Sequence, residues 1–120
     1  MRAELIENIL REFTSASGDI EGVVATSLDG LPVASFLPQG AEEDRVSAMA
    51  AAMLSLGGRT AEELRRGELE QVLIRGREGF VLMVQAGQEA VLTALIRQSA
   101  KLGLVFLDIK RAAERIAQML

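Results

Sequence analysis

Three stretches of the chain carry residue types and spacings that bear on chemistry. They are Asp29 within TSLDGLPVAS (residues 26–35), the run Gly57-Gly58-Arg59-Thr60, and eleven arginines set against two lysines, Lys101 and Lys110. A carboxylate acts as a general base only within reach of the proton it takes. No motif supplies Asp29 with such a partner, and its neighbours are those a turn requires. Asp-Gly between two short runs of β-branched and small residues is a hairpin signal, and a type I′ turn, with φ > 0 at both central positions, is expected there. Asp29 is read as a residue that turns the chain. Gly57-Gly58-Arg59-Thr60 lacks the G-x-x-x-x-G-K-[ST] spacing and has no strand before it, so a bend or a close helix contact is expected in place of a phosphate loop. An arginine finger stabilises charge on a transferring phosphoryl group. Arg45, Arg59, Arg65, Arg66, Arg75 and Arg77 are the conceivable donors, and ordinary surface charge is the simpler account of all six.

The chain has no His and no Cys. Ser-His and Cys-His nucleophile pairs and most metal sites therefore fall away. No catalytic residue, metal or cofactor is expected, and the chain is read as a non-enzyme. A net charge of −4 argues against nucleic acid, whose binding needs a basic face to release counterions. Tyr and Trp, the usual stacking platforms, are absent. The first residues, MRAELIENILREF, carry charge throughout, unlike a signal peptide. No apolar run approaches the roughly 20 residues of a spanning helix. A soluble, cytoplasmic protein without membrane insertion is expected.

The elements that must position any site follow from periodicity. In residues 2–17, Leu5, Ile6, Ile9, Leu10, Phe13 and Ala16 form one apolar stripe of a helix. Gly18 then suits a left-handed cap. Residues 22–27 and 31–36 are short strands around Asp29-Gly30, and Pro32 fits an edge strand. A helix is expected over residues 41–66, with Glu42, Glu43 and Asp44 in its first turn. Its middle, Val46 to Leu54, is apolar almost all round and needs cover on more than one side. Gly57-Gly58 are placed to bend or break it, Thr60 with Glu63 to cap a second short helix, and Gly67 to end it. Strands follow at 68–75, 79–84 and 90–96, with Gly76-Arg77-Glu78-Gly79 as a hairpin. The second of these strands is apolar in both parities and should be buried on both faces. A last helix runs from Ser99 to Leu120, with Gly103 available for close packing. The order α-β-β-α-β-β-β-α, with short connections, gives an α/β (α+β) fold: one five-stranded antiparallel sheet with helices on both faces. With 120 residues and no linker, residues 1–120 read as one domain.

This order, with these residues, resembles the Roadblock/dynein light chain family. The likeness lies in GVVATSLDGLPVAS, the Ala-rich AMAAAML, RRGELEQVLIRGREGFVLMV and KLGLVFLDIKRAAERI, which together cover nearly the whole chain. The resemblance implies a Roadblock/profilin-like sheet in strand order 2-1-5-4-3, the second helix on one face and the first and last on the other. It implies a homodimer in which the third strands pair edge to edge and the second helices pack together. On this chain that interface falls on Val46, Met49, Ala50, Met53 and Leu54, and on Leu69, Glu70, Gln71, Val72 and Leu73. It also implies binding and regulation of a small Ras-like GTPase, as in the bacterial MglB-type members, which activate GTP hydrolysis by a partner. Arg45, Ala52 and Arg59, on the exposed side of the second helix, are the expected partner-binding residues. The chain ends in its last helix, so contacts made elsewhere through a longer tail are not expected. The alternative is a scaffold that pairs with other Roadblock proteins and touches no GTPase.

Two features point to the dimer without the resemblance. The strand ELEQVLIR is long, free of proline and partly apolar, which invites edge pairing unless its charges protect it. The helix apolar all round at Val46–Leu54 seeks a second cover; within it Met49 and Met53, one turn apart, are read as core or dimer packing in preference to an adaptable binding surface.

Overall fold

Apolar periodicity and turn residues divide the chain into the elements of the computed structural model, which describes residues 3–119. Arg2 and Leu120, the outer ends of the expected first and last helices, lie outside the described residues. The elements are α1 (Ala3–Ala16), β1 (Ile20–Ser27), β2 (Pro32–Phe36), α2 (Glu43–Glu63), β3 (Gln71–Gly76), β4 (Gly79–Ala86), β5 (Ala90–Arg97) and α3 (Leu102–Ala117). The strands form one sheet in the order β2-β1-β5-β4-β3, with every neighbouring pair antiparallel. The expected fold and strand order stand, and Pro32 lies on an edge strand.

Alternation along each strand sends side chains to two layers. On one face Val23, Ala25, Leu82, Val84, Leu92 and Ile96 pack with α1 and α3, through Ile6, Ile9, Leu10, Val105, Ile109 and Ile116. On the other face Met83 and Val91 meet Ala50 and Leu54 of α2. Leu82, Met83 and Val84 are all buried, so the middle of β4 is covered on both faces. Arg115 reaches Glu12 at 2.6 Å and ties α3 to α1. No helix among the described residues is long and apolar enough to cross a membrane.

Several local expectations are corrected. Asp29-Gly30 do turn the chain, but not as a type I′ turn. Ser27 N–H donates to Leu31 O at 2.8 Å and Gly30 N–H to Ser27 O at 3.0 Å, which closes a loop of Leu28, Asp29 and Gly30. Gly30 alone there has positive φ, +91°. This is the three-residue hairpin in which a left-handed glycine follows the turn and forms a bulge. Asp29 accepts a hydrogen bond from the Ser27 hydroxyl. Gly18 is not left-handed; the backbone after α1 is held by Asp19 N–H donating to Ser17 Oγ at 3.1 Å.

The second helix runs unbroken through Gly57-Gly58. Gly57 is there for proximity: a Cβ on it would stand 3.0 Å from Val72 Cγ2 and 3.2 Å from Leu69 Cδ2. Thr60 caps nothing, since its hydroxyl donates to Leu56 O at 2.8 Å within the helix. The helix stops at Glu63, not Arg66. Arg66 N–H donates to Ala61 O and Arg65 N–H to Glu62 O, with Arg65 at φ +56°. That is a Schellman closure with arginine where glycine is usual, so Gly67 follows the stop and does not make it. β3 begins at Gln71, three residues later than expected. α3 begins at Leu102, and a Cβ on Gly103 would meet nothing within 4 Å among the described residues, so the glycine is not required there by a close contact.

Candidate functional site

The apolar run of α2 is covered on one side only. Ser47, Ala50 and Leu54 are buried against the sheet, while Ala48, Met49, Ala52 and Leu56 are exposed. Met49 is 53% and Leu56 59% exposed. β3 is the edge strand on this side of the molecule, and among the described residues its outer edge has no strand beside it. Its register places Val72 opposite Met83 and Ile74 opposite Val81, on the α2 face. A groove of about 350 Å³ runs between α2 and this part of the sheet, bordered by Val46, Met49, Met53, Ile74, Val81 and Leu95. Apolar surface of this kind, beside an open strand edge, is what a docking partner buries.

Each expected interface residue has a definite place. Val46, Met49 and Met53 rim the groove, and Leu69 and Val72 pack half-buried beneath the C-terminal half of α2. Ala50 and Leu54 already point into their own sheet, at 1% and 8% exposure. Glu70, Gln71 and Leu73 are exposed, with Gln71 and Leu73 on the opposite face from α2. Arg45, Ala52 and Arg59 are all exposed on α2, and Ala52 also borders the groove beside Met49 and Met53, which the two arginines do not. Arg45 lies 3.5 Å from Glu42. Arg45 and Arg59 are fourteen residues apart on α2, about 21 Å at the rise of an α-helix. The other conceivable finger residues lie elsewhere, Arg65 and Arg66 in the turn after α2, Arg75 and Arg77 at the end of β3. The structure therefore does not gather the six into one site.

Ile74, Val81 and Leu95 were missed as groove residues. The available signal was parity: Val72 and Ile74 share a face, and that face is the one toward α2.

Thr93 lies in the floor of the groove. It is 1% exposed, and its Oγ1 has no hydrogen-bond partner among the described residues. By contrast, Thr26 Oγ1 and Ser47 Oγ, also buried beneath α2, satisfy each other at 3.0 Å. A buried hydroxyl without a partner retains its desolvation cost, so Thr93→Val should raise unfolding stability by about 1–2 kcal/mol. Urea denaturation measures it. A loss of stability would show that the hydroxyl is hydrogen-bonded in solution.

The fold recurs in solved proteins. Myxococcus xanthus MglB superposes with a TM-score of 0.90 at 19% identity, over 98% of this chain and 89% of that one. A Roadblock/LC7 domain from Streptomyces avermitilis gives 0.88 at 17% identity, over 94% and 95%. Acanthamoeba castellanii profilin IA, at 0.63 and 13% identity over 94% and 97%, shares the architecture more distantly. In sequence, the uncharacterised Methanocaldococcus jannaschii protein MJ1340 is 41% identical over 115 residues, spanning 96% of this chain and 99% of that protein. A second protein of that organism, MJ0310, is 40% identical over the same shares. The family model of the Roadblock/LC7 domain matches residues 5–96, and the chain belongs to that family.

Proposed function

We propose that the chain is a non-enzymatic, homodimeric binding module that docks a small Ras-like GTPase and alters its nucleotide cycle. The observation that carries the dimer is the pairing of an open β3 edge with an α2 whose apolar residues are covered on one side only. Two copies joined along β3 extend the sheet, set the two α2 helices side by side, and bury Met49, Met53 and Ile74. The GTPase reading rests on the family and on the likeness to MglB. The outer side of the paired α2 helices, with Arg45, Ala52 and Arg59, is the surface assigned to the GTPase. The small side chain of Ala52 lets a partner approach closely, and the two arginines flank it. The chain has no His and no Cys for a Ser-His or Cys-His pair, and on this reading hydrolysis is carried out by the GTPase's own groups.

The test has two stages. Light scattering at high micromolar concentration should give the mass of two chains; the mass of one chain would reject the dimer. Capture from native lysate, with and without a non-hydrolysable GTP analogue, should retain a small GTPase more strongly with the analogue, and the purified GTPase should then change its hydrolysis or exchange rate when this protein is added. Retention of Roadblock chains alone would favour the scaffold.

A further inference from the structure

The residues flanking β3 carry opposite charges. Glu68 and Glu70 precede the strand, and Arg75 and Arg77 stand at its far end. Among the described residues the ion pairs join Arg11 to Glu7, Arg45 to Glu42 and Arg115 to Glu12, so none involves these four. All four are exposed.

Simple alternation would send Glu70 and Arg75 to opposite faces of the sheet. The fold does otherwise. Arg75 pairs with Phe80 across β4 and lies on the α1/α3 face, its guanidinium carbon 5.9 Å from the centre of the Phe80 ring. That distance is within cation–π range, which steadies the arginine. Glu70 stands outside the regular strand and, with Gln71, borders a groove on this same face beside Phe106, Leu107 and Lys110 of α3. An acidic and a basic group therefore sit at the two ends of one open edge, on one face.

Antiparallel pairing of two identical strands places some residue opposite its own copy. With that residue at Val72, Leu69 of one copy faces Arg75 of the other; with it at Leu73, Gln71 does. Of the possible registers, these two bring Glu70 within one residue of the position facing Arg75, and the contact then occurs twice by symmetry. Parallel alignment would set Glu70 beside Glu70 and Arg75 beside Arg75. Charge complementarity of this kind selects partners and fixes register.

We propose that Glu70 and Arg75, with Glu68 and Arg77 outside them, are specificity determinants of β3: they admit a second copy of this chain in antiparallel register and reject parallel pairing and strands of mismatched charge. The inference rests on the β3-mediated dimer of the proposed function. The same charges that protect the edge from indiscriminate pairing thereby license self-pairing.

The test is a charge swap read by sedimentation equilibrium. One variant carries Glu68→Arg and Glu70→Arg, the other Arg75→Glu and Arg77→Glu, and circular dichroism confirms that each is folded. Each alone sets like charges together at both symmetric contacts, and its self-association constant is expected to weaken about tenfold or more. Mixed one to one, the two restore both attractions and should form a heterodimer within about threefold of the wild-type affinity. Weakening of each variant without recovery in the mixture would overturn the proposal, since it would mean simple damage. Unchanged self-association of both would overturn it while leaving the dimer intact. A monomeric wild type would overturn the dimer reading itself, and the charge code with it.

Discussion

The double substitution Met49→Lys/Ile74→Lys is expected to leave the chain folded and to halve its mass in solution. Met49 and Ile74 are 53% and 39% exposed in the single chain, on opposite banks of the groove beside α2. Surface substitutions of this kind usually move stability by about 0.5 kcal/mol or less, and a lysine can keep its ammonium in water there. In the proposed dimer the same positions are enclosed, and two-fold symmetry doubles the damage to four ammonium groups. An uncompensated charge in a buried interface costs about 3–5 kcal/mol, so dissociation should strengthen by at least about a hundredfold. Circular dichroism and light scattering on one sample check both halves of the expectation. A folded variant that remains a dimer would place the interface elsewhere and remove the main support for the proposed assembly. If the GTPase surface is shared by two α2 helices, any effect on GTP hydrolysis should disappear with the dimer.

Leu92→Ala should cost about 3–4 kcal/mol, the middle of the range for emptying a buried leucine site. Leu92 lies on β5, paired to Ala25 of β1 on one side and Val84 of β4 on the other, and it is fully buried in the layer shared with α1 and α3. Neighbours held by two flanking strands and two helices have little freedom to close the cavity. For a chain of this size the melting temperature should fall by about 10–20 °C. Leu64→Ala is the contrast, because Leu64 is 62% exposed in the turn after α2; it should change stability by about 0.5 kcal/mol or less. Thermal and urea denaturation of the two variants read the difference. Equal losses would mean that the central layer does not carry the fold's stability.

The elements and their order were legible because their signals are local. The stripe of α1 repeats with helical period, Asp29-Gly30 and Gly76-Arg77-Glu78-Gly79 punctuate hairpins, and β4 is apolar in both parities. The misreadings came where a local residue answers to a distant one. Gly57 looks like a helix breaker, yet it serves the contact of α2 with Leu69 and Val72. Gly67 looks like the helix stop, yet the chain closes earlier through a left-handed Arg65.

The sequence by itself determined the order of helices and strands, that the chain lacks a His- or Cys-based site, and that the segment from Glu68 to Arg77 carries acid at one end and base at the other. Those properties are written in residue types and periods along a continuous stretch, so no distant contact is needed to see them. Only the tertiary structure decided which side of α2 remains bare, that Thr93 is buried without a partner, and that Glu70 shares a face with Arg75. These depend on how far a helix overlies a sheet and where a strand begins, which packing between remote segments sets and residue spacing does not.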